Sequence, residues 1–166
     1  MSENTNLKIA LDNASDLFNN NNLNECIEQL EEILNIHPSN LKALSLLLDI
    51  NIKLNRAEKA LKIIKKLIQL EPDSKEHHEK LVKVHQFLND NRAYESALIN
   101  FHKKFPSITT ARLISNIHIE NDREEESDQV IQSFFESDKK YGDLYKGIRH
   151  VKAGRLKLAE DAYKRV

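Results

Sequence analysis

Seven histidines and one cysteine are the side chains of this sequence that could bind a metal ion or attack a substrate. His78 and His85 are two helical turns apart and could share one face of a helix. A zinc site needs three or four converging ligands, however, and the sequence has no H-E-x-x-H motif. We therefore predict no metal site and no cofactor, with exposed or partly packed imidazoles at His37, His77, His78, His85, His102, His118 and His150.

No motif of covalent or phosphoryl-transfer catalysis is present either. The sequence lacks a glycine-rich phosphate loop and the glycine-flanked serine of a nucleophile elbow. Cys26 falls where small residues pack between helices, and a buried, inert thiol is expected there. Since nothing distinguishes a catalytic carboxylate pair from ordinary helix-surface Glu, we predict no catalytic residue and no enzyme activity.

The composition favours a helical chain and excludes several other classes. The 166 residues are 40% hydrophobic and 31% charged, with formal net charge −1, three Gly and three Pro. So few glycines argue against a β-sandwich or a nucleotide-binding α/β fold, and the near-neutral charge argues against a dedicated nucleic-acid binder. No leader or apolar stretch long enough for a membrane span is visible, so we expect a soluble cytoplasmic protein.

The elements that would position any site are helices in a repeating pattern. Pro38, Pro72 and Pro106 are evenly spaced, and apolar residues recur at helical spacing between them. This periodicity predicts helix pairs at about 7–19 and 23–36, 41–53 and 57–70, 75–89 and 93–104, 108–120 and 124–137, and 141–153 and 156–166. We expect residues 1–6 to be a disordered tail and residues 7–166 to form one domain of five units, at about 7–40, 41–74, 75–107, 108–139 and 140–166.

Small or aromatic residues mark the helix crossings of these units. The small position of each second helix is assigned to Cys26, Ala60, Ala97, Ser127 and Ala159, with the widest interval before Ala97. A helix–turn–helix repeat of about 34 residues that closes on Pro resembles the tetratricopeptide repeat. The last unit resembles it most, because Gly147, Gly154, Ala159 and Tyr163 stand where that family prefers Gly, a small residue and an aromatic residue.

This resemblance implies an all-α fold, a right-handed α-solenoid of antiparallel helix-turn-helix repeats. It also implies that the first helices line a concave groove that binds an extended or helical peptide. The groove candidates are Lys42, Ser45, Asp49, Gln86, Arg112, Asn116, Ile119, Tyr141, Leu144 and Ile148. Arg112 and Asn116 resemble half of a clamp for a peptide carboxylate, but its other positions hold Lys83, Val82 and Tyr145, so a receptor for chaperone tails is not expected. An inter-repeat salt bridge is the simpler interpretation of Arg112.

Charge is distributed unevenly along the repeats. The acids Glu25, Glu28, Glu31 and Glu32 are matched one repeat later by Lys59, Lys62, Lys65 and Lys66. The lysines could bind phosphate, but a solvated surface on which neighbouring helices attract each other is the favoured interpretation. Residues 120–138 carry eight acids against one base, and residues 140–166 carry eight bases against three acids. This polarity indicates either complementary repeats or a surface that steers a charged partner.

The last unit also carries apolar residues that would lack a following repeat, namely Leu156, Leu158, Ala162 and Val166. We expect self-association, or a helix of a partner, at this end. The main functional hypothesis is a non-enzymatic adaptor or scaffold that binds a protein or peptide. The alternative is an accessory segment of an enzyme complex, such as a transferase, whose catalytic part lies elsewhere. A helical repeat that contacts RNA or DNA is the weakest of the three hypotheses, since basic and aromatic residues do not interleave.

Overall fold

The computed structural model describes residues 3–135 and 139–166, and it describes the side chains of residues 4–135 and 142–166. Within these ranges the chain is all-α, as predicted, with no strand. The helices are α1 (Glu3–Asn19), α2 (Leu23–Ile36), α3 (Leu41–Lys53), α4 (Ala57–Leu70), α5 (Lys75–Phe87), α6 (Asn91–Lys104), α7 (Ile108–Glu120), α8 (Glu124–Phe134), α9 (Lys139–Lys152) and α10 (Leu156–Tyr163). None of the helices in the described ranges has the length and apolar character needed to cross a membrane.

Two helices begin earlier than predicted for identifiable reasons. Residues 3–6, which we predicted to be part of a disordered tail, are helical, because Leu7 and Ala10 pack on the buried core formed by α1, α2 and α3 and hold the start of α1. Helix α6 begins at Asn91 because the Asp90 carboxylate accepts the N–H of Ala93 at 3.0 Å, as a helix cap does. Residues 1–2 of the predicted tail lie outside the described residues.

Other helix bounds differ from prediction at one end. Helix α5 ends at Phe87 rather than at 89, because Asn89 takes a positive φ of 53°. Helix α9 begins at Lys139 rather than at 141, and α10 ends at Tyr163 rather than at 166. Helix α8 ends at Phe134, with Phe135 as its C-cap, and residues 136–137 of the helix predicted over 124–137 lie outside the described residues.

The chain divides into two compact units, Met1–Tyr94 and Glu95–Val166, with the boundary inside α6. In the first unit, α1 packs on α2, α2 on α3, α3 on α4 and α4 on α5. In the second unit, α7 packs on α8, α8 on α9 and α9 on α10. Consecutive helices therefore pack in sequence within each unit, as repeats do when each buries its apolar face on the next. A single domain over 7–166 stays a prediction.

A residue with positive φ follows the first helix of every repeat. These residues are Asn21, Asn55, Asn89, Asp122 and Gly154, with φ between 53° and 72°. In four of the five turns the next residue donates its N–H to a carbonyl five residues back, as Arg123 does to His118 at 2.7 Å. This is the left-handed helix ending that satisfies the last carbonyls, and the same next residue is the N-cap of the second helix.

The turns also fix the register of the second helices. The position five residues beyond each turn residue holds Cys26, Ala60, Tyr94, Ser127 and Ala159. The third repeat therefore has Tyr94 where Ala97 was predicted, and the five positions are then almost evenly spaced. Ala97 is buried instead beside Leu98 and one turn before Phe101, on the apolar face of α6.

The exits between repeats are capped by polar side chains that follow the prolines. Asn40 accepts the N–H of Ala43 at 2.9 Å, and Ser107 accepts that of Thr110 at 3.2 Å. Ser74 caps α5 in the same way. The proline-marked exits predicted from the sequence thus lead directly into the starts of α3, α5 and α7.

We expect Asn55→Val to lower the free energy of unfolding by about 1–2 kcal/mol, because a β-branched residue disfavours positive φ. Asn55→Gly should leave it unchanged or raise it slightly. Urea unfolding followed by circular dichroism measures both, with Gln69→Ala on the exposed side of α4 as control. Equal stabilities of the Val and Gly variants would show that the positive φ at this turn does not constrain which residue can stand there.

Candidate functional site

In the first unit, two of the predicted groove residues are engaged in ion pairs between first helices. Lys42 Nζ on α3 lies 3.1 Å from Asp12 Oδ1 on α1. Lys80 Nζ on α5 lies 2.7 Å from Asp49 Oδ1 and 2.8 Å from Glu76 Oε1. The structure thus brings Lys42 and Asp49 into charge pairs that join neighbouring first helices. Of the other candidates, Ser45 is half-buried and Gln86 is exposed.

The pKa shifts in the Lys80 cluster indicate that these ion pairs outweigh the desolvation of the lysine. Desolvation opposes the charge of Lys80, but the hydrogen bonds and charges of Asp49 and Glu76 raise its pKa. The pKa of Glu76 is lowered, chiefly by its hydrogen bond with Lys80. Lys80 and Glu76 therefore stay charged and pair within the unit.

In the second unit, α7 and α9 present a mixed apolar and polar face. Arg112 and Asn116 on α7 are exposed, and Ile119 is half-buried. On α9, Leu144 is half-buried and Ile148 is 43% exposed. Tyr141 lies in α9, but its side chain is outside the described residues. We define the α7–α9 face as the set Arg112, Asn116, Ile119, Leu144, Tyr145 and Ile148.

The guanidinium of Arg112 lies over an aromatic ring. Its Cζ is 5.9 Å from the ring centroid of Tyr145, a cation–π distance. In the described part of the chain no carboxylate pairs with Arg112, so the salt bridge considered for it is not formed there. Tyr145 was not among the predicted groove residues. The signal that could have found it is its place at one of the clamp positions considered together with Arg112.

A buried polar network holds α7, α8 and α9 together. The Ser115 and Ser127 hydroxyls lie 2.8 Å apart at the crossing of α7 and α8. Arg149, which is 6% exposed, donates to the Ser115 hydroxyl and to Asp128 Oδ1, each at 2.5 Å. The serines fill positions where the first unit has apolar or small residues, and the arginine charge is compensated by Asp128.

The crossing of α9 and α10 depends on a glycine. A Cβ at Gly147 would lie 2.3 Å from the ring of Tyr163 and could not be accommodated without a shift. Gly154 supplies the positive φ of the last turn. Both glycines therefore serve the last repeat as the resemblance implied, and Ala159 is buried there.

The two charge patterns of the sequence have different outcomes. Between the acidic and basic C-terminal segments, Arg149 pairs with Asp128, and Arg155 Nη1 lies 2.8 Å from Glu124 Oε1. These pairs show that the two segments carry complementary charge between neighbouring repeats. In the described ranges, by contrast, no ion pair within 4 Å joins the four acids of α2 to the four lysines of α4. The expected attraction of those helices through direct pairs is therefore not observed.

Polar residues recur at one position near the end of the first helices. Asn51, His85, His118 and His150 each lie four residues before the positive-φ residue of their turn. His118 Nε2 is 3.3 Å from Glu95 Oε1. Over the described residues no group of three or more histidine, cysteine or carboxylate side chains is arranged to hold a metal ion.

The apolar side chains at the end of the last repeat are partly exposed. Leu156 is 69% exposed, and Leu158, Val151 and Val166 are also exposed. Ala162, which we predicted to lack cover, is fully buried, because α10 turns it toward the rest of its own unit. Self-association or a partner helix at this end stays a prediction.

Both the sequence and the fold are similar to known repeat proteins. The tetratricopeptide repeat family model matches residues 4–83. A crystal structure of MamA protein matches with TM-score 0.66 and 14% identity, covering 95% of this chain and 88% of that one. MamA from Desulfovibrio magneticus RS-1 matches with TM-score 0.61 and 11% identity, covering 78% of this chain and 74% of that one.

A chain in the structure of Naa15/Naa10 bound to HypK-THB also shares the fold. Its TM-score is 0.65 at 18% identity, and the match covers 90% of this chain but 24% of that one. No curated protein sequence matches this chain. At these identities the structural matches show the fold, and they confirm the predicted repeat solenoid.

We expect Arg149→Ala to lower the free energy of unfolding by about 3 kcal/mol, because it removes one partner of a buried ion pair. Chemical denaturation measures the change. Lys152→Ala, an exposed change on the same helix, should cost under about 0.5 kcal/mol. A similar small cost for both variants would show that the buried network does not hold α9.

Acidification should destabilise the chain through its partly buried histidines. Desolvation lowers the pKa of His85, and nearby Lys65 lowers it further. Below about pH 6.5 the unfolded chain therefore binds protons that the folded chain does not, and stability falls as the pH drops toward 5. His85→Asn places there the residue that Asn51 supplies one repeat earlier, and denaturation at pH 7 and pH 5 should show a smaller loss. An unchanged loss in the variant would exclude His85 as a contributor.

Proposed function

Because this chain belongs to the tetratricopeptide repeat family, whose domains are generally protein–protein interaction modules, we propose that it binds a peptide or helix of a partner protein on the α7–α9 face. Such repeats are typically non-catalytic, and we propose that the chain acts as an adaptor without enzyme activity of its own. The observation that carries the proposal is Arg112, which lies over Tyr145 and has no carboxylate partner among the described residues.

The chemistry of the α7–α9 face supports a protein partner. Arginine and tyrosine are enriched where protein interfaces concentrate their binding energy. Ile148 and Leu144 offer apolar area next to them, and the Asn116 amide can hydrogen-bond a peptide backbone. An acidic side chain of the partner, held next to Arg112, would supply the carboxylate that the described residues do not.

The first-unit candidates have a different role in this proposal. Lys42 is paired with an acid of α1 and Asp49 with a lysine of α5, so binding through them would have to break existing pairs. The Lys42 pair is exposed and worth about 0.2–1 kcal/mol, so a partner can displace it at small cost. The Asp49 pair involves the largely buried Lys80 and is harder to displace. We propose Lys42, Ser45, Asp49 and Gln86 as secondary contacts, and Tyr141 as a further contact of α9.

A second candidate function is that of an accessory segment within an enzyme complex. The supporting observation is the match to a chain in the Naa15/Naa10 structure, of which this fold covers 24%. Mass spectrometry of proteins that copurify with this chain distinguishes the two. A catalytic subunit whose turnover changes when the chain is added favours the accessory role, and partners without such a change favour the adaptor.

We expect Arg112→Glu combined with Asn116→Ala to weaken partner binding at least about tenfold, a loss of roughly 1.4 kcal/mol. Both side chains are exposed, so thermal stability should be nearly unchanged. Affinity capture by the immobilised chain, quantified by mass spectrometry, measures the binding.

The matched control makes the same two kinds of change on second helices of the same unit, with Lys157→Glu and Gln129→Ala. Both residues are exposed. The control should capture the partner as the unaltered chain does. If the control weakens capture and the α7–α9 variant does not, the partner binds elsewhere and the proposal is wrong.

A further inference from the structure

A second candidate site lies in the first unit, between α2 and α4. A pocket of about 230 Å³ opens there, and α3 contributes its inner wall. Arg56, Lys59 and Lys62 line it, with Glu31 as the acidic side chain among them. In the described residues none of these three cations has a carboxylate within ion-pair distance. The pocket thus carries an excess of two positive charges that the described part of the unit leaves uncompensated.

The equivalent arginines of the second unit are neutralised. Arg56, Arg123 and Arg155 are each the N-cap of a second helix, directly after the positive-φ residue. Arg123 Nη2 lies 2.7 Å from Glu95 Oε1, and Arg155 Nη1 lies 2.8 Å from Glu124 Oε1. Across the described repeats, the arginine at this position therefore forms an ion pair twice and is unpaired once.

The reason for the open cation lies in two residues of α2. Ile27 occupies the repeat position of Glu95, six residues after the turn residue, and Leu23 occupies that of Glu124. Both positions that supply the acid in the second unit are thus apolar in the first. Arg56 is therefore exposed and has no ion-pair partner among the described residues.

A buried acceptor gives a second, independent indication of a ligand. Asn51 lines the same pocket and is 3% exposed. Its Nδ2 donates to the carbonyl of Leu47 at 2.7 Å, but its Oδ1 has no hydrogen-bond partner among the described residues. An unsatisfied buried acceptor costs free energy, which a ligand that donates an N–H or O–H would recover.

The surroundings of the pocket favour a single anionic group over a polyanion. Glu25, Glu28 and Glu32 are exposed on α2 and would repel a nucleic-acid backbone or an anionic membrane. The pocket itself has room for about one phosphate group and part of a peptide backbone. Arginine with two lysines beside the start of a helix is the arrangement that binds phosphate well.

We propose that this pocket binds a phosphorylated side chain of a partner protein. The phosphate lies against Arg56, Lys59 and Lys62, and a backbone N–H of the same peptide donates to Asn51 Oδ1. This site is separate from the α7–α9 face and does not depend on it. It would make one contact with a partner dependent on the partner's phosphorylation.

The test uses the full chain and a peptide pool with phosphoserine between randomised flanks. The unphosphorylated pool, inorganic phosphate and a thymidine oligonucleotide are the comparison ligands. Amide chemical shifts of residues 56–62 report binding at low ionic strength. We expect the phosphorylated pool to bind at least about tenfold more tightly than each of the other three. Equal binding of the two pools, phosphate alone binding as tightly, or tighter binding of the oligonucleotide would each overturn the proposal.

Variants of the pocket make the test specific. Ile27→Glu supplies the acid that Glu95 gives to Arg123, and it should weaken phosphopeptide binding about tenfold or more; Arg56→Gln should do the same without altering α2. Asn51→Leu should weaken the phosphopeptide but not inorganic phosphate, and it should fold, since Leu17 holds this position one repeat earlier. Undiminished binding by folded Arg56→Gln overturns the proposal.

The second-unit variant Lys157→Glu with Gln129→Ala is the matched control, because both residues are exposed and neither belongs to a proposed binding surface. It should bind the phosphorylated pool as the unaltered chain does, because its changes lie in the second unit. Loss of phosphopeptide binding in this control would place the phosphate contact outside the α2–α4 pocket. That outcome would overturn this inference while leaving the adaptor role to its own test.

Discussion

The chain reverses direction in every repeat at one residue with positive φ, and the rest of each repeat is positioned by that turn. An asparagine, aspartate or glycine tolerates this conformation, and in four of the five turns the residue after it both closes the first helix and is the N-cap of the second. The turn therefore determines which side chain of the second helix meets the first helix. It also explains why Arg56, Arg123 and Arg155 occupy the same repeat position.

The two units use this common frame with different chemistry. The first unit packs aliphatic residues such as Ile27 and Leu48 where the second has polar or charged ones. In the second unit, the buried Arg149 donates to Asp128, so this buried charge is paired. The consequence in the first unit is that no described acid lies within ion-pair distance of Arg56. The exchange of aliphatic for polar residues between the two units thus explains both the buried network of the second unit and the unpaired cations of the pocket between α2 and α4.

Much of the architecture could be predicted because the turn residues and prolines repeat with the helices. The periodicity placed most helix ends within two residues and supported the resemblance to the tetratricopeptide repeat. It misassigned the third repeat, where Tyr94 stands in a position usually held by a small residue and Ala97 offered a misleading match. The contact of Arg112 with Tyr145 and the isolation of Arg56 could not be predicted, because both depend on side chains that meet only after neighbouring repeats pack.

Binding of a protein partner by the first helices of the second unit is the central claim. A photo-crosslinking amino acid placed at position 116, on α7, tests this most directly, with the same group at position 129 on α8 for comparison. Both positions are exposed. We expect a crosslinked partner from position 116 and little or none from position 129. Crosslinking from position 129 alone would contradict the claim.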